Sequence, residues 1–470
     1  MIRKHVSATV SNTVLLSNLK PRHLEEIKRE LTFSNPAYER AAALGLWLDN
    51  IARNLSFYTP RISECEVSRG FVPSFSVLTK HTPSQKLDWG VNPKFTLTKN
   101  QKEGFNLFKD SFENKKHPFQ SYLLQLSTSL GKTLLCLEIA RYLKAKTLVI
   151  VSANIVQKSW VDDLRDHYNL RVGKEVGIIQ GSKVDTDGLV TIAMSQTLRR
   201  YSDEELKELT SEFGLTVFDE ADMVGANQLS RIAKNCSSSV MLGVTATVEK
   251  NPWLKAYFGK QVCKIKTTED SETSMKVRKV ELINTEFYYA VEDRGVDFHE
   301  LLLEMESDEE RNFLIVEKAY QDWAAGESVI IVTRRIGHSL LLEQMIKDCG
   351  IKDVDHLSGE TLSNKNYRTR TVDSFNSKKL RMLIFNAQAL QRGANLNPLS
   401  SLHITMPFAS KTIIEQLIGR LRRRHPEKTE SKIVYYYDKR VRYLINKYRN
   451  SVVPVLRSME IKGYKDVYLA

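Results

Sequence analysis

The chain has 470 residues, 42% of them hydrophobic, and Lys plus Arg outnumber Asp plus Glu by 69 to 56, a net charge of +13. That length calls for several domains, and the positive surplus favours a polyanionic partner over a membrane or an acidic small molecule. No apolar stretch approaches the ~20 residues that cross a bilayer, and Met1-Ile2-Arg3-Lys4-His5 lacks the apolar core of a signal peptide, so a soluble, cytoplasmic protein is expected. Cys65, Cys136, Cys236, Cys263 and Cys349 form no Cys-x-x-Cys pair, and the histidines show no His-Glu-x-x-His spacing. Reduced thiols and no metal beyond Mg²⁺ follow.

In chain order, Thr13–Ser17 reads as a strand, Pro21 to about Leu31 as a helix and Tyr38–Leu48 as a second helix. Gly70, Pro73, Pro83, Gly90 and Pro93 punctuate the stretch from Ser68 to Pro93 and mark a boundary. A small N-terminal α+β accessory unit, residues 1–85, is therefore expected. From Phe95 onward strands and helices alternate: Tyr122–Leu126, Leu134–Leu143, Thr147–Val151, Gln157–His167, Val176–Ile179, Val190–Ala193, Val217–Asp219 and Val240–Leu242. A polar run, Lys266 to Thr273, interrupts them, and alternation resumes through Val329–Thr333, Ile336–Lys347, Val354–Leu357, Met382–Asn386, Leu402–Met406 and Lys411–Leu421. Such alternation predicts two tandem α/β units with parallel sheets, residues 86–272 and 273–470.

Ser127-Thr128-Ser129-Leu130-Gly131-Lys132-Thr133 lies between a predicted strand and a predicted helix. Amide groups at such a loop cradle phosphates, Lys132 reaches the β/γ oxygens and the Thr133 hydroxyl ligates Mg²⁺, the order that nucleotide hydrolysis needs. The full Walker pattern has a glycine where Leu126 stands. Further on, Leu215-Thr216-Val217-Phe218 runs into Asp219-Glu220-Ala221-Asp222, placing acids at the carboxyl end of a buried strand. There Asp219 would hold Mg²⁺ and Glu220 would polarise the water that attacks the γ-phosphate.

Together these segments, from about Phe95 to Tyr437, resemble superfamily 2 helicases and translocases. The resemblance implies two tandem RecA-like domains, with ATP between them and nucleic acid across their tops. Thr245-Ala246-Thr247 looks like the motif that couples hydrolysis to strand binding, which assigns Thr245 and Thr247 to nucleic acid. Gln391-Arg392-Gly393-Ala394-Asn395 resembles the Arg-Gly-x-Asp motif, with Asn395 in place of the aspartate, and assigns Arg392 and Gly393 to the same partner. Gln416-Leu417-Ile418-Gly419-Arg420-Leu421-Arg422-Arg423 looks like the Gln-x-x-Gly-Arg-x-x-Arg motif, in which Gln416 meets the nucleotide and Arg420 and Arg423 act as arginine fingers. Phe95-Thr96-Leu97-Thr98-Lys99-Asn100-Gln101 is similar to a RecG-like segment whose glutamine reads adenine, making Gln101 the adenine contact. Lys158, in Asn154–Trp160, and Ser195-Gln196-Thr197 match segments that hold the sugar-phosphate track, whereas Trp160 itself reads as a core aromatic.

Leu357-Ser358-Gly359-Glu360 and the short spacing of the units look most like phage branch-migration helicases of the UvsW type. That subgroup implies a DNA-dependent ATPase using ATP and Mg²⁺ on forked, branched or single-stranded DNA in recombination, repair or replication. Its N-terminal unit would engage duplex, for which Arg22, Lys28, Arg29, Arg40 and Arg53 are available. Three alternatives stay open: an RNA helicase, because Asp-Glu-Ala-Asp is the signature of an RNA-acting group; a nucleic-acid-binding scaffold with little or no ATPase; and a restriction-enzyme motor subunit, because those use the same core, with any nuclease on another chain since no Asp…Glu-x-Lys pattern stands out.

Overall fold

A computed structural model describes residues 5–461 except 44, 46, 82–86, 88, 91–92, 127–130, 226, 247, 249–250, 266–276, 291–295, 387–395, 409–410, 423–424, 426–427, 429 and 460. The chain divides into two compact units, one running to Ile265 and one from Lys266 onward. Among the described residues no helix is long and apolar enough to cross a membrane.

The first unit begins with β1 (Val6–Val10), β2 (Val14–Ser17), α1 (Pro21–Glu30), β3 (Thr32–Ser34), α2 (Pro36–Ala43), β4 (Asn54–Ser56), β5 (Tyr58–Pro60), β6 (Glu64–Val67) and β7 (Val77–His81). Five of these strands form a sheet in the order β5-β6-β2-β1-β7, and β3 pairs separately with β4. Val6, Ala8 and Val10 alternate along β1, so a period of two puts all three on one face, where they pack with Val14, Leu16 and Ile27 of α1. The chain then runs into a buried clamp. Arg69 is 2% exposed and donates only to backbone carbonyls, those of Phe119, Gln120, Ser238 and Ser239. Beside it the Gly70 N–H donates to the Ala256 carbonyl at 2.9 Å, and a Cβ on Gly70 would fall 2.4 Å from the Gly259 nitrogen. Only glycine fits this approach.

The Arg69 acceptors lie just before β8 and β14 of the second sheet of the same unit, which is built from β8 (Ser121–Leu126), β9 (Thr147–Val151), β10 (Val176–Gln180), β11 (Lys183–Val184), β12 (Val190–Met194), β13 (Leu215–Asp219), β14 (Val240–Thr245) and β15 (Gln261–Ile265). Its order is β11-β10-β12-β9-β13-β14-β8-β15, parallel throughout except for the short β11. Unbroken apolar strands such as Thr147–Val151 and Val190–Met194 are buried at every position, as strands covered by helices on both faces must be. The covering helices include α3 (Lys99–Glu113), α4 (Lys132–Leu143) and α5 (Asn154–Tyr168). Successive strands β8 and β9 are separated in the sheet by β13 and β14. This crossover brings the carboxyl ends of β8, β9, β13 and β14 together beneath the start of α4, the place where open parallel sheets bind ligands.

The second unit carries β16 (Val277–Thr285), β17 (Val329–Thr333), β18 (Val354–Leu357), β19 (Met382–Asn386), β20 (Ser401–Ile404) and β21 (Ser431–Asp438), all parallel, in the order β16-β21-β20-β17-β19-β18. Its interior is ionic as well as apolar. Arg311 lies with its guanidinium 2.8 Å from Asp438, whose carboxylate also accepts from Thr285 at 2.6 Å. Asp322 accepts from His403 at 2.9 Å, from Ser401 and from Lys432.

Candidate nucleotide site

Gly131 caps α4 with φ +67, a left-handed conformation that glycine adopts without strain. Lys132 and Thr133 then open the helix and place two orphan amides and the positive end of its dipole at the sheet edge. Ser127, Thr128, Ser129 and Leu130 lie outside the described residues. Gln101 is 3% exposed, with its Nε2 donating to the Gly131 carbonyl at 3.1 Å and its Oε1 accepting the Thr98 N–H at 2.9 Å. The Thr98 hydroxyl in turn accepts the Gln101 backbone N–H at 3.4 Å, completing a capping box at the start of α3. The residue expected to read adenine thus has both ends of its amide engaged with protein, and it braces Gly131 at the start of α4.

Strand β13 delivers Asp219 and Glu220 to the same edge. Glu220 has φ +56, an unusual state for a residue with a Cβ and one that turns its carboxylate out of the strand direction. Its Oε2 accepts the Ser152 hydroxyl at 2.7 Å. Burial and the neighbouring Asp219 charge push its carboxyl up, against the pull of Ser152 and Lys132. Burial also pushes Asp222 up, although its carboxylate accepts the Thr245 hydroxyl at 2.6 Å. Thr245, expected to touch nucleic acid, is therefore bonded to the acidic segment from the end of β14. Thr247 lies outside the described residues.

Two partners from α5 complete the edge. Trp160, 1% exposed, packs in the interior as expected, yet its Nε1 donates to Asp219 at 2.8 Å. One turn later the Asp163 side chain bonds Thr133, and burial pushes that carboxyl up to about 6. Trp160 and Asp163, three residues apart on one helical face, hold the two side chains expected to bind Mg²⁺. Neither role is visible in the sequence. A Trp falling where the chain turns apolar signals only burial, and Asp163 sits in an ordinary charged helix.

The donor set suits the ion. Thr133 and Asp219, the two side chains expected to bind Mg²⁺, offer a hydroxyl and a carboxylate oxygen, the hard ligands that ion takes, and Lys132 is the lysine whose charge acts on Glu220 and Asp222.

Of the expected nucleic-acid residues, Lys158 and Gln196 are exposed, while Ser195 and Thr197 are buried. The Thr197 hydroxyl accepts the Gly181 N–H at 2.9 Å and so fixes the loop after β10. Gln196 donates through Nε2 to the Ser152 carbonyl. In the second unit, Gln416 and Arg420 share the helix Lys411–Leu421, where the Arg420 Nη1 donates to the Gln416 carbonyl at 3.3 Å. Arg392, Gly393 and Arg423 lie outside the described residues.

Residues 94–250 match the family described as type III restriction enzyme, res subunit. The DNA helicase uvsW of Enterobacteria phage T4, ATP-dependent by name, is 23% identical over 324 residues, 65% of this chain and 63% of that protein. A protein of Acanthamoeba polyphaga mimivirus bearing an ATP-dependent RNA helicase name, L396, is 31% identical over 126 residues, 26% of this chain and 23% of that one. The chain thus spans less than two thirds of either relative. Among solved structures, a fragment described as the HsdR subunit of a type I restriction enzyme from Vibrio vulnificus YJ016 has a TM-score of 0.57 at 14% identity, covering 81% of this chain and 69% of that one. The shared fold is the α/β architecture with RecA-like domains.

Proposed function

Because the chain carries a superfamily 2 helicase core, we propose that it is an ATP-driven DNA translocase of the branch-migration type, remodelling forked or junction DNA. The observation that carries this reading is the meeting of Lys132, Thr133, Asp219 and Glu220 at one sheet edge, the last three held by Asp163, Trp160 and Ser152. ATP phosphates would lie on the Gly131–Thr133 amides with Lys132 at the β/γ oxygens. Thr133 and Asp219 would hold Mg²⁺, which when bound neutralises phosphate charge and orients the γ-phosphoryl group. Glu220 takes a proton from the attacking water as its oxygen bonds the γ-phosphorus, and the bond to the β–γ bridging oxygen breaks to leave ADP and phosphate. Arg420 and Arg423 of the second unit would supply positive charge to that transition state.

The net charge of +13 and the similarity to a phage DNA helicase over 65% of the chain support DNA as the track. Lys158, Gln196, Arg392 and Gly393 are the proposed contacts. The test is steady-state ATP hydrolysis without nucleic acid and with single-stranded, duplex and forked DNA or RNA. Forked DNA should stimulate most, and Lys132→Ala or Glu220→Gln should lower turnover by about 100-fold or more. Best stimulation by RNA, the activity in the mimivirus protein's name, would move the track to RNA. Absence of turnover under every condition would leave a binding scaffold.

A further inference from the structure

Nucleic-acid stimulation needs a physical link between the track and the hydrolytic water, and the first unit contains a short one. The exposed Gln196 amide donates to the Ser152 carbonyl. The Ser152 hydroxyl in turn donates to Glu220 at 2.7 Å. Ser152 lies just after β9, two residues before α5 begins at Asn154, and the Asn154 side chain is itself tied to Gln180 at 2.8 Å. All of these residues sit on the carboxyl edge that also carries Lys132 and Asp219. The bond holds this carboxylate on the Ser152 side of the edge. The φ of +56 at Glu220 marks a backbone held in a less populated state, which the Ser152 bond helps to maintain.

We propose that Ser152 is a positioning residue that restrains Glu220 until nucleic acid engages Gln196, so that strand binding releases the base for hydrolysis. The idea rests on Glu220 being the base, as argued under Proposed function. When the track draws the Gln196 amide away, the Ser152 carbonyl loses its partner, the turn between β9 and α5 relaxes and the hydroxyl leaves the carboxylate. The uncoupled enzyme would then hydrolyse ATP whether or not a strand is present.

The experiment compares wild type, Ser152→Ala, Ser152→Thr and Glu220→Gln for kcat and KM of ATP hydrolysis with and without forked DNA, with DNA affinity from fluorescence anisotropy and folding from thermal melts. Ser152→Ala is expected to raise turnover without DNA by about tenfold, the worth of a hydrogen bond to a charged acceptor. The stimulation ratio should collapse toward one while DNA affinity and KM stay within a factor of two. Ser152→Thr, which keeps the hydroxyl, should restore both. A Ser152→Ala enzyme whose basal and stimulated rates are unchanged, or fall by one common factor, overturns the restraint. Should wild type and Glu220→Gln turn over ATP equally, the base assignment fails first and the restraint falls with it.

Discussion

The two units handle buried acids in opposite ways. On the first sheet's carboxyl edge, Glu220, Asp222 and Asp163 take hydrogen bonds from the hydroxyls of Ser152, Thr245 and Thr133, and all three carboxyls are pushed up by burial. In the second unit, Asp438 is bonded to Arg311. Burial there pushes the Asp322 carboxyl up as well, but His403, Lys432 and Ser401 outweigh it and hold the group well below the usual carboxylate range. Burial also favours the neutral His403 ring, so at neutral pH the charge that matters beside Asp322 is that of Lys432. Acids neutralised from within are scaffold. On the proposed function, the acids that take hydroxyls at the sheet edge are the ones a cation arriving with the substrate would meet.

The contrast can be broken most severely at Asp438. Asp438→Ala leaves the Arg311 guanidinium buried without its carboxylate and should cost about 3–5 kcal/mol, seen in thermal unfolding of the full chain. Asp322→Asn should cost about 2 kcal/mol at pH 7. Its pH dependence has a fixed sign: a depressed carboxyl contributes stability above its unfolded value and loses it as pH falls. The gap between wild type and mutant should therefore begin to narrow only as pH falls below about 4 and shrink progressively from there. At the first edge, Trp160→Phe keeps the packing and removes the N–H held by Asp219, for about 1–2 kcal/mol. A fluorescent ADP analogue should also need severalfold more Mg²⁺ to bind. The smallest effect has the opposite direction. The Asp163 carboxyl, raised to about 6, makes the native state lose stability as pH climbs from about 4 through 6. Asp163→Asn should gain on the order of 1 kcal/mol at pH 8 and nothing at pH 4, and a loss at pH 8 would contradict the contrast.

Much of the first unit was legible in advance, because unbroken apolar strands force a covered parallel sheet and because Gly131-Lys132-Thr133 and Asp219-Glu220 are local patterns. What escaped was chemistry between distant segments. Ser152 and Glu220 are 68 residues apart and Trp160 and Asp219 are 59 apart, so only the β9–β13 pairing brings them together. Arg69 escaped for another reason: its acceptors are main-chain carbonyls, which no residue letter announces. The bracing role of Gln101 had a signal that went unused, since Thr98-x-x-Gln101 has the spacing of a capping box.

The Arg69 clamp grips the amino ends of β8 and β14, whereas Lys132 and Glu220 stand off the carboxyl ends of β8 and β13. One strand length, roughly 20 Å, therefore separates the N-terminal sheet from the phosphate edge, and the spacing is set by backbone rather than by a tether. The sheet works as a ruler: anything it carries is registered at a constant offset from the edge that bears Lys132 and Glu220.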